Sequence, residues 1–193
     1  LKHKKKNVKG KKVVISGSGN VAQFATEKFI EMGAKVLTLS DSSGFIHDPA
    51  GINKDKLKYV MQLKNEQRGR ISEYEKKYPK AKFFAKDKPW KVACDIAIPC
   101  ATENELSQSD AKILIKNGVI AVAEGANMPC TPEAIKAFQN SKVLYAPGKA
   151  SNAGGVAVSG LEMAQNSLKN TWSRKIVDGK LQEIMTDIHS SCL

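Results

Sequence analysis

The residues of this chain whose types and spacing best suit chemistry are Gly17-Ser18-Gly19-Asn20-Val21-Ala22, set directly behind the strand-like run Lys12-Val-Val-Ile-Ser16. A strand that runs into a glycine turn and then a helix presents bare backbone N–H groups, reinforced by the helix dipole, to a phosphate. In this order Gly17 permits the tight turn, Gly19 lets the main chain approach a diphosphate with no Cβ in the way, and Ala22 lets the helix pack closely on the strand. A Gly-x-Gly-x-x-Gly/Ala match alone is weak, because strand-to-helix turns favour glycine on steric grounds. The flanks strengthen it: Val21, Phe24, Ala25, Phe29 and Met32 fall at helical spacing, and Gly33 supplies a helix stop. Together they predict a dinucleotide site rather than a ligand-free glycine turn.

A second expected strand, Ala34–Ser40, ends on Asp41, 22 positions after Gly19. That is close to the roughly 20-residue offset at which a carboxylate meets the adenosine ribose. A carboxylate there accepts from the ribose hydroxyls and repels a 2′-phosphate, which points to NAD. Ser42 and Ser43 add hydroxyls beside it, and Lys64, Arg68 and Arg70 lie on the following helix and loop, where a cation could face a 2′-phosphate, which points to NADP. The residues by themselves leave both coenzymes open.

Other chemistries are poorly served. Cys94, Cys100, Cys130 and Cys192 form no C-x-x-C pair and have no histidines at ligand spacing, so no structural metal is expected, and reduced thiols suit an intracellular compartment. His3, His47 and His189 are scattered and read as surface or packing residues. The formal net charge of +12 resembles a nucleic-acid signal until it is located: Lys2, Lys4, Lys5, Lys6, Lys9, Lys11 and Lys12 concentrate it at the start. That run carries no interleaved aromatics to stack on bases, so nucleic acid is not an expected partner. No apolar run approaches the ~18 residues of a membrane span, and the start lacks the apolar stretch of a secretory signal, so no membrane partner is expected. A cytoplasmic location follows. The first residue is Leu1, not Met, so a piece of a longer protein is expected and an organellar targeting segment stays open.

The chain length suits one domain with a real core. Its organisation reads as a basic linker over 1–12, a dinucleotide-binding domain over 13–151, and C-terminal helices over 152–193 that pack back on that domain or on a neighbouring one. After Asp41 comes the turn Ser42-Ser43-Gly44, then Phe45–His47 and a turn-rich Asp48-Pro49-Ala50-Gly51. Asn53 caps a helix bearing Leu57, Val60, Met61 and Lys64, and a short helix spans 72–78. Strands are expected at 82–85, 95–99, 119–123 and 143–145, with helices at 110–116 and from Thr131-Pro132-Glu133 onward. This alternation predicts an α/β, Rossmann-like fold: a mostly parallel sheet with helices on both faces and two further helices, 152–169 and 174–191, outside the alternation. Ligands of such sheets bind beyond the carboxyl ends of the strands. The loops there, 16–19, 41–43, 99–102, 124–127 and 146–149, are small, polar or glycine-bearing, as a flat cofactor lying across them requires.

The runs Gly17–Ala22, Ser40-Asp-Ser-Ser-Gly44, Pro99-Cys-Ala-Thr102, Ala123-Glu-Gly-Ala-Asn-Met128 and Asn152-Ala-Gly-Gly-Val156 through Ser159-Gly-Leu-Glu-Met-Ala-Gln-Asn166 resemble the cofactor domain of hexameric glutamate dehydrogenases of the NADP-linked bacterial and protist type. The resemblance covers essentially the whole chain. It implies reversible oxidative deamination of L-glutamate to 2-oxoglutarate and ammonia, with hydride passing to or from a nicotinamide, in a homohexamer. It further implies that Gly17, Ser18, Gly19, Asn20 and Val21 hold the diphosphate and adjoining ribose. Asp41, Ser42, Lys64 and Arg70 would lie at the adenosine end, Ala101, Thr102, Gly125 and Asn127 along the nicotinamide half, and Asn152 near the nicotinamide ribose. Val156 and Ser159 would reach the substrate side chain, where a hydroxyl near a helix N-terminus suits a carboxylate. Because Lys64 and Arg70 match the basic residues of the NADP-linked type, NADP is the coenzyme expected. The family's catalytic lysine and aspartate belong to a separate N-terminal domain, so no catalytic residue is expected in this chain, which alone should bind coenzyme but turn over substrate poorly.

Two alternatives share these features. A branched-chain or aromatic amino-acid dehydrogenase using NAD has the same layout, against which Ser159 counts because an apolar side chain would suit leucine or phenylalanine. A non-catalytic NAD(P)-sensing module, with the basic arm held on an acidic partner, differs in lacking a second domain.

Overall fold

Val13, Val14 and Ile15 expose no surface, and they serve two separate apolar layers, Val13 and Ile15 on one side and Val14 on the other. That division is the period-2 alternation of a strand buried on both faces. The computed structural model describes residues 7–192, so Lys2, His3, Lys4, Lys5 and Lys6 of the basic start lie outside the described residues.

Strand β1 (Lys12–Ile15) leads into helix α1 (Asn20–Glu31), then β2 (Lys35–Asp41) and β3 (Gly44–Ile52). Helix α2 (Lys54–Met61) runs on as a π-helical turn (Gln62–Glu66) and is followed by α3 (Glu73–Lys77) and β4 (Lys82–Ala85). A 3₁₀ turn (Pro89–Lys91) precedes β5 (Ile96–Ile98), α4 (Gln108–Lys116), β6 (Ala121–Ala123), α5 (Pro132–Gln139) and β7 (Leu144–Ala146). Three helices close the chain: α6 (Gly148–Ser151), α7 (Ala153–Ser167) and α8 (Arg174–Ser191). Helix starts are capped as their sequences suggest. Asn53 Oδ1 accepts from Lys56 N at 2.9 Å, Thr131 caps α5 ahead of Pro132, and Ser107 with Asp110 forms a capping box on α4.

The strands form one sheet in the order β4-β3-β2-β1-β5-β6-β7. β2, β1, β5, β6 and β7 run parallel, so their carboxyl ends share one edge. One face carries α1, α2 and α3 through Ala22, Leu57, Val60 and Tyr74; the other carries α4 and α5 through Ala111, Leu114, Ala134 and Phe138. The α/β fold with helices on both faces is therefore as expected.

Three local details differ from the sequence reading. Val21 and Phe24 of α1 and its C-cap Met32 are exposed, and the helix buries Ala22, Gln23 and Thr26. Ala22 and Thr26 let α1 lie close to the sheet, Thr26 Oγ1 donates to Ala22 O at 2.7 Å, and of the apolar stripe only Ala25 and Phe29 pack partly against the core. The turn-rich Asp48–Gly51 lies inside a strand: β3 is antiparallel to β2, and the pairing jumps from Thr38↔His47 to Val36↔Ile52. The extra residues bulge, with Asp48 Oδ1 accepting from Ala50 N at 3.0 Å, which is how Pro49 is tolerated within a ladder. Helix α6 was not expected, and it begins where Gly148 packs against Glu124 and Ala126. Helices α7 and α8 pack on each other and bury no residue.

Candidate functional site

At the carboxyl end of β1 the chain must reverse sharply against the neighbouring β5 loop. Gly17 does so with φ +80°, and a Cβ there would meet Cys100 O at 2.9 Å and Ala101 Cα at 3.2 Å. Its amide donates to Ser40 Oγ at 2.7 Å, and Ser40 N donates back to Gly17 O at 3.0 Å, so the turn is tied to the end of β2. Gly19 is the N-cap of α1 with ordinary extended backbone, φ −82°, no side-chain cap, and nothing within 4 Å of where a Cβ would stand. The first N–H groups of α1 therefore open onto free space over Gly19, while Ser18 is buried and Asn20 and Val21 are exposed at the rim. An uncapped, unscreened helix start of this kind fits a diphosphate.

Asp41 ends β2 with its carboxylate turned inward. Oδ1 accepts from Ser43 N at 2.9 Å and Ser43 Oγ at 2.5 Å, and Oδ2 from Ile71 N at 2.8 Å and Lys64 Nζ at 3.1 Å. These four donors occupy the acceptor positions of a carboxylate. Burial pushes its pKa upward, but the bonds from Ser43, Ile71 and Lys64 outweigh burial and hold it below the ordinary value. Lys64 stands in the π-helical turn, not on a regular helix, and also donates to Gly69 O at 2.8 Å. Ser42 and Arg70 are exposed beside this pair, joined by an Arg70 Nη1 to Ser42 Oγ bond of 2.7 Å. Hydroxyl and guanidinium thus meet at the surface over a neutralised Asp41–Lys64 pair.

The other half of the edge is stitched by two glutamates. Glu124, with 3% of its surface exposed, follows β6 and accepts from Gly148 N at 2.7 Å and Cys130 N at 3.2 Å. Ser151 Oγ donates to Glu124 O at 2.6 Å, and Asn152 Nδ2 donates to Ala126 O and to Asn127 Oδ1, each at 3.0 Å. Asn127 and Asn152 are thereby brought together across the β6 and β7 loops. Gly125 is required there, since a Cβ would lie 2.5 Å from Cys100 Sγ. Glu105 Oε1 accepts from Ser16 Oγ and from Ala101 N, both at 2.8 Å, and burial raises its pKa above the ordinary value against those bonds. Burial also pushes the Cys100 thiol up to about 12, which makes it inert rather than nucleophilic.

Ala101 and Thr102 are exposed on the β5 loop, within this same edge. Val156 and Ser159 are exposed on α7, one and two turns beyond Asn152. The structure joins Gly17 to Ser40, Ser42 to Arg70, Lys64 to Asp41, and Asn127 to Asn152; Val156 and Ser159 stand apart from these clusters. Glu105, Glu124, Ser16 and Gln23 were given no role by sequence reasoning. Glu124 sits in the Ala-Glu-Gly-Ala-Asn run directly after a strand, a placement that could have flagged it, whereas Glu105 and Gln23 carry no local signal. Gln23 Nε2 donates to Ser18 O at 2.8 Å and to Asn65 Oδ1 at 3.0 Å, fastening α1 to the π-helical turn that holds Lys64. Among the described residues no group of three or more His, Cys, Asp or Glu could hold a metal ion, and no helix is long and apolar enough to cross a membrane.

The model of the Glutamate/Leucine/Phenylalanine/Valine dehydrogenase family matches residues 1–193. This chain belongs to that family. It is 58% identical to a glutamate dehydrogenase of Bacteroides thetaiotaomicron over 193 residues, all of this chain and 43% of that protein. It is 55% identical to an NADP-specific glutamate dehydrogenase of Haemophilus influenzae over 183 residues, 95% of this chain and 40% of that protein. A crystal structure of Plasmodium falciparum glutamate dehydrogenase superposes with a TM-score of 0.95 at 48% identity, covering 100% of this chain and 41% of that one. Other relatives carry names specifying NAD(P) and NAD. The chain thus spans well under half the length of the proteins it matches.

Proposed function

We propose that this chain is the coenzyme-binding portion of an NADP-dependent glutamate dehydrogenase that interconverts L-glutamate with 2-oxoglutarate and ammonia. The observation that carries the reading is the open N-terminus of α1 over Gly19, at the same sheet edge as the Ser42–Arg70 and Asn127–Asn152 pairs. The amides around Ser18 to Val21 take the diphosphate, with the helix dipole favouring its charge. Ala101, Thr102 and Gly125 line the nicotinamide half, and Asn127 and Asn152 face its ribose and amide. When bound, the coenzyme supplies or accepts the hydride; the chain's own residues orient it and keep one face toward α7. Val156 and the hydroxyl of Ser159 meet the substrate side chain.

NADP is favoured over NAD by the state of Asp41. Its carboxylate is already satisfied by four protein donors, so it is a poor acceptor for ribose hydroxyls, and Lys64 cancels the charge that would repel a 2′-phosphate. The exposed Ser42 hydroxyl and Arg70 guanidinium then supply charge-assisted bonds to that phosphate. The catalytic lysine and aspartate come from a further domain of the full-length enzyme, which assembles as a homohexamer in the cytoplasm. Calorimetric titration of the chain with NADPH and NADH tests this reading: NADPH binds more tightly, and no glutamate turnover accompanies it. Binding of neither coenzyme, or clear steady-state turnover by this chain, contradicts it.

A further inference from the structure

β1 and β5 are neighbours in the sheet, yet their chains leave in opposite directions, β1 toward α1 and β5 toward α4. The ladder between them ends at the Ile15↔Ile98 pairing, with Ser16 N donating to Ile98 O at 3.3 Å. Beyond it, side chains take over. Cys100 N donates to Ser16 Oγ at 2.9 Å, Ser16 Oγ donates to Glu105 Oε1 at 2.8 Å, and Ala101 N donates to the same Oε1 at 2.8 Å. Lys88 Nζ donates to Glu105 O at 2.6 Å, anchoring the residue from the opposite side. Ser16 immediately precedes the turn at Gly17, and Ala101 and Thr102 belong to the loop on the nicotinamide side.

We propose that Glu105 is a positioning residue that holds the diphosphate turn and the β5 loop at the spacing an intact dinucleotide needs. The proposal rests on the coenzyme reading above and adds a role for a residue that touches no coenzyme itself. A single charged oxygen receiving both a hydroxyl and an amide is a stiff junction, because charge-assisted bonds are short and strong. An aspartate, one methylene shorter, would fall short of Ser16. Glutamine keeps a carbonyl oxygen that accepts both bonds, whereas alanine removes the junction and leaves the Ala101 amide and Ser16 hydroxyl to move apart. The adenosine end, held by β2, Ser42 and Arg70, does not depend on it.

The test separates the two halves of the coenzyme. Dissociation constants of NADPH and of adenosine 2′,5′-bisphosphate, which lacks the nicotinamide half, are measured calorimetrically on the full chain and on Glu105→Ala, Glu105→Gln and Ser16→Ala. Glu105→Ala weakens NADPH about tenfold or more and the bisphosphate less than about twofold. Glu105→Gln returns NADPH to within about threefold of the unmodified chain. Ser16→Ala shows the same selective loss, and it decides the matter if Glu105→Ala does not fold. Equal weakening of both ligands, or NADPH affinity unchanged in the alanine variants, overturns the positioning role while leaving the coenzyme reading intact. An unmodified chain that binds neither ligand overturns both.

Discussion

Two glycines two residues apart stand in opposite surroundings, and replacing each by alanine separates folding from the proposed binding. At Gly17 the backbone holds φ +80°, and an added Cβ would lie 2.9 Å from Cys100 O and 3.1 Å from its carbonyl carbon. The left-handed backbone costs an L-residue about 1–2 kcal/mol, and forcing the β1 and β5 loops apart brings the total to about 2–4 kcal/mol. For a chain of this size each kcal/mol moves the melting temperature by about 2–4 °C, so Gly17→Ala lowers it by about 5–15 °C. At Gly19 the backbone suits any residue and a Cβ meets nothing within 4 Å, so the cost is limited to a poorer N-cap, about 0.5–1 kcal/mol. The space that Cβ enters is where the diphosphate is proposed to sit. Losing one charge-assisted amide contact costs about 1.5–3 kcal/mol, or roughly tenfold to a hundredfold in affinity. Gly19→Ala should therefore melt within about 4 °C of the unmodified chain yet bind NADPH at least tenfold more weakly, by scanning calorimetry and titration respectively. Unchanged affinity in Gly19→Ala would show that the coenzyme does not lie on this helix start, and a melting loss equal to that of Gly17→Ala would show that the two positions are not divided in this way.

Arg70→Ala removes an exposed guanidinium over Ser42, and solvent screening limits its worth to about 1–2 kcal/mol, so NADPH weakens about five- to thirtyfold while NADH changes less than about twofold. Adding Lys64→Ala deepens the NADPH loss and also lowers the melting temperature, because the partly buried Asp41 carboxylate loses its cation; equal weakening of both coenzymes in the arginine variant counts against a 2′-phosphate site. The folded pKa of Asp41 is depressed, so its contribution to stability is complete above the unfolded value of about 3.9 and is lost as pH falls through the lower folded value. Melting curves should accordingly show Asp41→Asn well below the unmodified chain at neutral pH, with the gap closing in strong acid; a gap that widens in acid contradicts the network around Asp41. Cys94 and Cys100 have thiols pushed up to about 12 by burial, Cys130 is buried as well, and Cys192 is exposed. A disulfide reagent near neutral pH should titrate one thiol per native chain and the other three only on unfolding.

How much of this was legible beforehand depended on how local each cause was. The glycine turn, the caps at Asn53 and Thr131, and helix α8 at 174–191 all follow from neighbouring residues, because turns and helix starts are decided by backbone geometry and side chains a few positions apart. The motif runs at 17–22, 99–102 and 123–128 sufficed for the family, since each is a contiguous stretch. Which face of α1 is buried was not legible in the apolar spacing, because hydrophobicity ranks Phe24 above Thr26, whereas close packing on the sheet favours Ala22 and Thr26.

Sequence alone determined that glycine-bearing loops would line one edge of an α/β sheet, since strand and helix periodicities are written in adjacent residues. It could not say which way Asp41 faces, that β3 turns back against β2, or that Glu105 closes on Ser16 from 89 positions away. Those outcomes belong to the folded state. A carboxylate takes whichever donors the packed chain delivers, and the packing that delivers them is fixed by contacts between segments far apart in the chain.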